Sequence, residues 1–89
     1  MNLKVFSIYD AKAGAFNQPF FMHTFGQAER AFRDEVDSPT SLISKHPEDF
    51  TLFDLGVFDD STGLITPHTA PVSVLAGLDC VSRGQATNN

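Results

Sequence analysis

The chain has one cysteine, no tryptophan, one tyrosine and only six lysines plus arginines among 89 residues. Each shortage excludes something. The single Cys80 forms no internal disulfide, so this is not a stapled secreted scaffold, and a reducing compartment is expected. No run approaches the roughly 20 apolar residues that a membrane-spanning helix needs. The N-terminal Met1-Asn2-Leu3-Lys4-Val5-Phe6 lacks the apolar core of a secretory signal. A soluble, intracellular protein that does not enter membranes is therefore expected. Eleven acidic residues against six basic ones leave a net charge of −5, which is the wrong sign for a simple basic nucleic-acid binder.

What is present is ordinary globular material. Nine phenylalanines sit within a 42% hydrophobic total, well above disordered compositions. The length fits one domain, expected over residues 1–81 with a frayed, disordered polar tail over 82–89. Six or seven buried phenylalanines, each worth roughly 1.5–3 kcal/mol, would anchor such a core.

Residues 3–9 are β-branched and aromatic. They predict a strand with Leu3, Val5, Ser7 and Tyr9 on one face and Lys4, Phe6 and Ile8 on the other. Apolar residues on both faces point to an interior strand. Asp10 to Asn17 reads as a turn, and Gln18 to His23 returns as a strand entered at Pro19, giving a hairpin over 3–23. Thr24-Phe25-Gly26-Gln27 has the form of a capping box. Phe25, Ala28, Phe32 and Val36 then recur at helical spacing, predicting a helix over 25–37 that ends at Ser38-Pro39. Glu29 with Arg33 and Arg30 with Asp34 are spaced as stabilising intrahelical pairs. Arg30, flanking the apolar stripe, is expected to reach Asp54 or Glu48.

Pro39 is expected to open a short turn, capped by Ser38, that carries Leu42 and Ile43 into the core. His46-Pro47-Glu48-Asp49 reads as a chain reversal. From Phe50 to Phe58 the chain alternates, with Thr51, Phe53, Leu55 and Val57 on one face and Phe50, Leu52, Asp54, Gly56 and Phe58 on the other. Asp59 to Gly63 is a hairpin loop in which Gly63 supplies a positive φ. Leu64-Ile65-Thr66 is a strand cut short by Pro67 and Pro71, with Val72 to Leu75 either a last strand or an edge wrap. The fold class is α+β: an antiparallel sheet of about four strands with one α-helix packed on a face.

Chemistry is sparse. Asp59-x-Ser61-x-Gly63 begins like a calcium loop, but the positions that need Gly and Glu hold Leu64 and Ala70. His23, His46 and His68 match no zinc spacing. His46 beside Glu48 and Asp49 could serve as an assisted general base, but the same residues make a polar turn, and the turn is the stronger reading. No nucleophile motif or phosphate loop is present. No enzyme, cofactor or metal is expected. Lys4, Arg30, Arg33 and Lys45, with several phenylalanines, are the candidate nucleic-acid-binding residues, supplying phosphate contacts beside stacking rings. Against them, Glu29, Asp34 and Glu35 interleave with the arginines, which favours core phenylalanines and a solvated helix face.

Three blocks, taken in order, resemble a known family. They are Gln18-Pro19-Phe20-Phe21, then Ala28-x-Arg30-Ala31-Phe32, and then Lys45-His46-Pro47-Glu48-Asp49-Phe50-x-Leu52-Phe53-x-Leu55-Gly56-x-Phe58-Asp59-Asp60-x-x-Gly63. Together they resemble the small nonstructural protein of gokushovirus-type microviruses, single-stranded DNA phages in which it is labelled the DNA-binding or fifth-frame product. The resemblance spans most of residues 1–75 and is most specific from His46 to Asp60. It implies a role in phage DNA replication, or in the switch to genome synthesis and packaging, through single-stranded DNA in the host cytoplasm, and it supplies no catalytic residues. A homo-oligomer would align basic residues of neighbouring subunits and offset the net charge. The alternative is an acidic adaptor for the replication initiator, the procapsid or a host factor, with Asp59, Asp60, Glu29, Asp34 and Asp37 as contacts. An acidic DNA mimic fits the charge but lacks long carboxylate rows.

Overall fold

The computed structural model describes residues 1–86, the last five by backbone alone. Five strands and three helices follow in the order β1 (Asn2–Asp10), β2 (Ala15–Phe16), β3 (Phe20–Met22), α1 (Phe25–Asp37), α2 (Leu42–Lys45), β4 (Phe50–Asp59), β5 (Leu64–Ala76) and α3 (Gly77–Ala86). The sheet is antiparallel. β1 pairs with both β2 and β3 on one side and with β4 on the other, and β5 lies outside β4. This is the α+β sheet-and-helix class expected, with β1 interior and the 3–23 hairpin formed.

The helix α1 follows from local signals. Thr24 Oγ1 accepts from the Gln27 amide at 3.1 Å, and Gln27 Oε1 accepts from the Thr24 amide at 3.3 Å. Ala28, Phe32 and Val36 are buried against Phe6, Ile43, Phe50, Leu52 and Cys80. All the helices that contribute to this core lie on one face of the sheet, the face of Phe6, Phe50 and Leu52.

Several expectations are corrected. Of the nine phenylalanines only Phe6, Phe32 and Phe50 are buried, fewer than the six or seven expected, because one helical layer covers one face of the sheet. The four-residue α2 is capped by Ser41 rather than opened at Pro39, and it buries Ile43 while Leu42 stays exposed. Ala15–Phe16 forms a short strand where a turn was expected. α3 is a helix the sequence did not signal. The tail expected from Ser82 overlaps it as far as Ala86, and residues 87–89 lie outside the described residues.

The strand β5 runs through Pro67 and Pro71 instead of stopping. It pairs with β4 alone, and on an edge strand a residue without an N–H forfeits no ladder bond. The alternation of β4 also breaks. Phe6 faces Asp54 and Val5 faces Gly56, so Leu55 is an extra residue between the two pairs. Beyond this bulge Phe58 turns to the face opposite Phe50 and Leu52, where it meets Phe21. Opposite Leu55, β5 carries four residues, His68 to Pro71, between the pairs Gly56–Pro67 and Asp54–Val72. Gly56 is required here: a Cβ would press on the Thr66 carbonyl oxygen and lie 2.8 Å from Pro67 Cα.

Candidate functional site

The candidate cations do not converge. Lys4, on β1, holds its Nζ 4.7 Å from the centre of the Phe25 ring on the helical side of the sheet. Arg30 is exposed on α1 and reaches neither Asp54 nor Glu48. Arg33 lies on the flank of α1 that faces α3, with Nη1 4.0 Å from Cys80 Sγ. Lys45 closes α2. The expected Glu29–Arg33 and Arg30–Asp34 pairs are not among the ion pairs formed by the described residues. Arg33 is turned toward Cys80 instead, and between the exposed Arg30 and Asp34 an ion pair gains little over solvation.

What the tertiary structure gathers instead is aromatic. The sheet face opposite the helices carries two ring clusters. Tyr9 and Phe16, cross-strand partners on β1 and β2, have centroids 4.9 Å apart. Phe53, across from Ser7 on β4, lies 5.4 Å from Phe16 and 6.2 Å from Tyr9. Phe21 and Phe58 form the second cluster, at 5.3 Å. Between them Val5 and Ser7 are buried, and Ser7 Oγ donates to the Asn17 carbonyl at 2.6 Å. Phe16 and Phe21 remain 41% and 44% exposed, so this face offers ring surface to solvent. A signal for it was present: β1 is apolar on both faces, and a single helical layer leaves one of them uncovered.

Two polar groupings complete the inventory. His46, Glu48 and Asp49 bring one ligand atom each within 4.8 Å of one another, beside an open hollow of about 320 Å³ that Asp10 and Lys12 also line. His46 and Glu48 are exposed, their Nδ1 and Oε2 3.9 Å apart. Backbone bonds organise the segment: Asp49 N–H donates to the His46 carbonyl, and the Asp49 carbonyl accepts from Ala11 N–H at 2.8 Å. A solvated chain reversal explains it. The second grouping is Asp54, buried on the helical side, with His68 Nε2 3.0 Å from its Oδ1.

At the far end of β4 the acidic loop is self-contained. Asp59 Oδ1 accepts from the Ser61 hydroxyl at 2.6 Å and the Ser61 amide at 2.9 Å. These bonds, the hydroxyl first, hold its carboxyl below the ordinary value. Asp60 bridges the N-terminal ammonium at 2.9 Å and raises its pKa above the usual 8.0. Among the described residues no helix is long and apolar enough to cross a membrane.

The family model described as Phage ORF5 protein matches residues 3–80 of this chain. The chain therefore belongs to the phage ORF5 protein family. No curated protein and no solved structure matches it.

Proposed function

We propose that this phage ORF5 protein is a non-enzymatic accessory protein of a microvirus-type phage, acting in DNA replication or packaging in the host cytoplasm by binding single-stranded DNA. The observation that carries the reading is the uncovered aromatic sheet face of Tyr9, Phe16, Phe53, Phe21 and Phe58. Unpaired bases expose π-faces, and stacking on protein rings contributes about 1–3 kcal/mol per base without requiring a sequence. The strands of an extended sheet hold such rings at fixed spacing, so a single strand laid lengthwise along β1 would meet both clusters, Tyr9, Phe16 and Phe53 at one end and Phe21 and Phe58 at the other.

The net charge of −5 limits the phosphate contribution, and Lys4, Arg30, Arg33 and Lys45 lie away from the rings. Binding of this kind is weak per subunit, depends more on stacking than on salt, and gains from a homo-oligomer that repeats the face. Titration of a labelled oligothymidylate at several salt concentrations tests it. Phe53→Ala and Phe21→Ala should each weaken binding by about five- to a hundredfold, the loss of roughly one stacked base. Absence of binding by the unaltered protein at low salt and high protein concentration removes the reading.

A second reading, an adaptor for another protein, is favoured by the separation of those four cations from the aromatic face. An acidic molecule with apolar surface suits a basic protein partner better than a polyanion.

A further inference from the structure

On the helical side of the sheet a cleft of about 290 Å³ opens between α1 and the β1–β3 pair. Ile8, Phe20, Met22, Ala31 and Phe32 line it, and Glu35 stands at its rim. Among the described residues no lysine, arginine or histidine lines it; Lys4 is the nearest cation along β1, across from Met22, and its Nζ is engaged over the Phe25 ring. The volume lies just below the range for small-molecule sites, roughly 300–1,000 Å³. It suits one or two apolar side chains of a larger partner.

The charge beside it is unbalanced. Asp34, Glu35 and Asp37 fall in the last four residues of α1, with no basic residue in its last turn. Unpaired carbonyls give a helix C-terminus a partial negative charge, so three carboxylates there are unfavourable. None of the three is in an ion pair within 4.0 Å with another described side chain. Seen down the helix axis, Glu35 lies on the flank of Ala31 that overlooks the cleft, while Arg33 lies on the opposite flank, toward Cys80. An apolar cleft thus adjoins a helix end rich in carboxylates whose own last turn carries no cation.

We propose that this cleft docks a basic amphipathic helix of a partner protein. Its apolar side chains enter between Met22, Ala31 and Phe20, and its lysines or arginines meet Glu35 and Asp34 at the end of α1. The helix-in-groove mode supplies the anchor and the charges supply orientation and choice of partner. A nucleic acid is excluded from this surface by its own charge. A second copy of the chain would bring another acidic α1 against the first. The proposal goes beyond the DNA reading and stands on the other side of the sheet from it.

The test uses the full chain and two labelled peptides of about 18 residues, one a leucine–lysine amphipathic helix and the other its leucine–glutamate counterpart with the same apolar face. Anisotropy titrations should show binding of the lysine peptide only. Glu35→Lys, an exposed change, should weaken it about tenfold by replacing an attraction with a repulsion. Ala31→Phe, which fills the cleft, should weaken it comparably while the circular dichroism stays unchanged. Glu48→Lys makes the same change of net charge on the chain reversal before β4 and should alter the affinity less than twofold. Equal losses from Glu35→Lys and Glu48→Lys would reduce the effect to general attraction and overturn the docking site, as would undiminished binding by Glu35→Lys. Should Ala31→Phe unfold, methyl shifts of Met22 and Ala31 in the unaltered protein decide: the lysine peptide should move them, and unmoved methyls overturn the site. Phe53→Ala should leave peptide binding intact and Glu35→Lys should not weaken oligonucleotide binding, so the two surfaces fail separately.

Discussion

His68 and Asp54 are joined across the bulge: the Nε2 of His68, on an edge strand between two prolines, sits 3.0 Å from the Oδ1 of Asp54 on β4. That oxygen is buried and accepts no hydrogen bond of good geometry from any described residue. The histidine is 37% exposed by side chain and the aspartate 10%. The four-residue excursion from His68 to Pro71 is thus closed over a carboxylate that no other described basic side chain approaches within 4.0 Å. His68→Ala should therefore cost about 1–3 kcal/mol, the cost of leaving a buried polar group without a partner. Urea unfolding of the single variants and of His68→Ala with Asp54→Asn would measure the coupling. An unchanged midpoint for His68→Ala would show that water serves the carboxylate equally well.

Thr24 anchors the start of α1 through the reciprocal bonds with Gln27. Thr24→Ala should lower stability by about 1 kcal/mol, seen as a reduced thermal midpoint with the same folded circular dichroism. Gln27→Ala removes the other half of the box and should cost less, because the Thr24 and His23 amides that it accepts from are exposed to water.

Gly56→Ala places a methyl group against the backbone of Thr66 and Pro67, which no side-chain rotation can relieve. A loss above about 2 kcal/mol is expected, of the size seen where packed structure must move. Amide exchange should rise first in β5. Gly14→Ala is the comparison: Gly14 has a φ of 67° but open space around it, so its cost is confined to backbone strain, about 1 kcal/mol.

The two faces of the sheet should respond differently to loss of a ring. Phe32→Ala empties a site that is 1% exposed and should cost about 3–5 kcal/mol. Phe16→Ala removes a ring that is 41% exposed, and about 1 kcal/mol is expected from its contacts with Tyr9 and Phe53. Similar losses from both in chemical denaturation would contradict the division into a core face and an open face.

The loop after β4 carries two opposite pH dependences, one at the Asp59 carboxyl and one at the Met1 ammonium held by Asp60. Hydrogen bonds from Ser61 lower the Asp59 pKa, so its contribution is present above the ordinary value of 3.8 and is lost as pH falls through the lower folded value. Asp60 raises the pKa of the Met1 ammonium, so that contribution is complete below 8.0 and is lost as pH rises through the higher folded value. A carbon-detected titration of Asp59 should inflect below 3.8, and Ser61→Ala should return it toward that value.

Much of the chain was legible because the governing interactions are short-ranged. The α1 stripe, its Thr24–Gln27 box and its stop at Ser38 depend on residues within one or two turns of each other. The Gly63 turn, whose φ is 78°, and the hairpin from β1 to β3 are equally local. The family resemblance rested on the same stretches, and it reached the phage origin of the chain. The site was less legible. Lys4, Arg30, Arg33 and Lys45 are visible in the sequence by charge, but charge does not say which side of a sheet a residue occupies.

Periodicity, capping and turn chemistry act over a few residues, so the sequence alone sufficed for β1, α1, β4, the turn at Gly63 and the α+β class, but not for α3 or the short strand β2. Only the tertiary structure decided that β5 is an edge strand able to carry two prolines, and that Leu55 is the residue that shifts the phase of β4. It alone placed the helices on one face, leaving Tyr9, Phe16, Phe53, Phe21 and Phe58 on the other. Whether a strand has one neighbour or two, and whether a face is covered, depends on residues far away in the chain. A ring with the same local pattern becomes core under α1 and open surface on the opposite side.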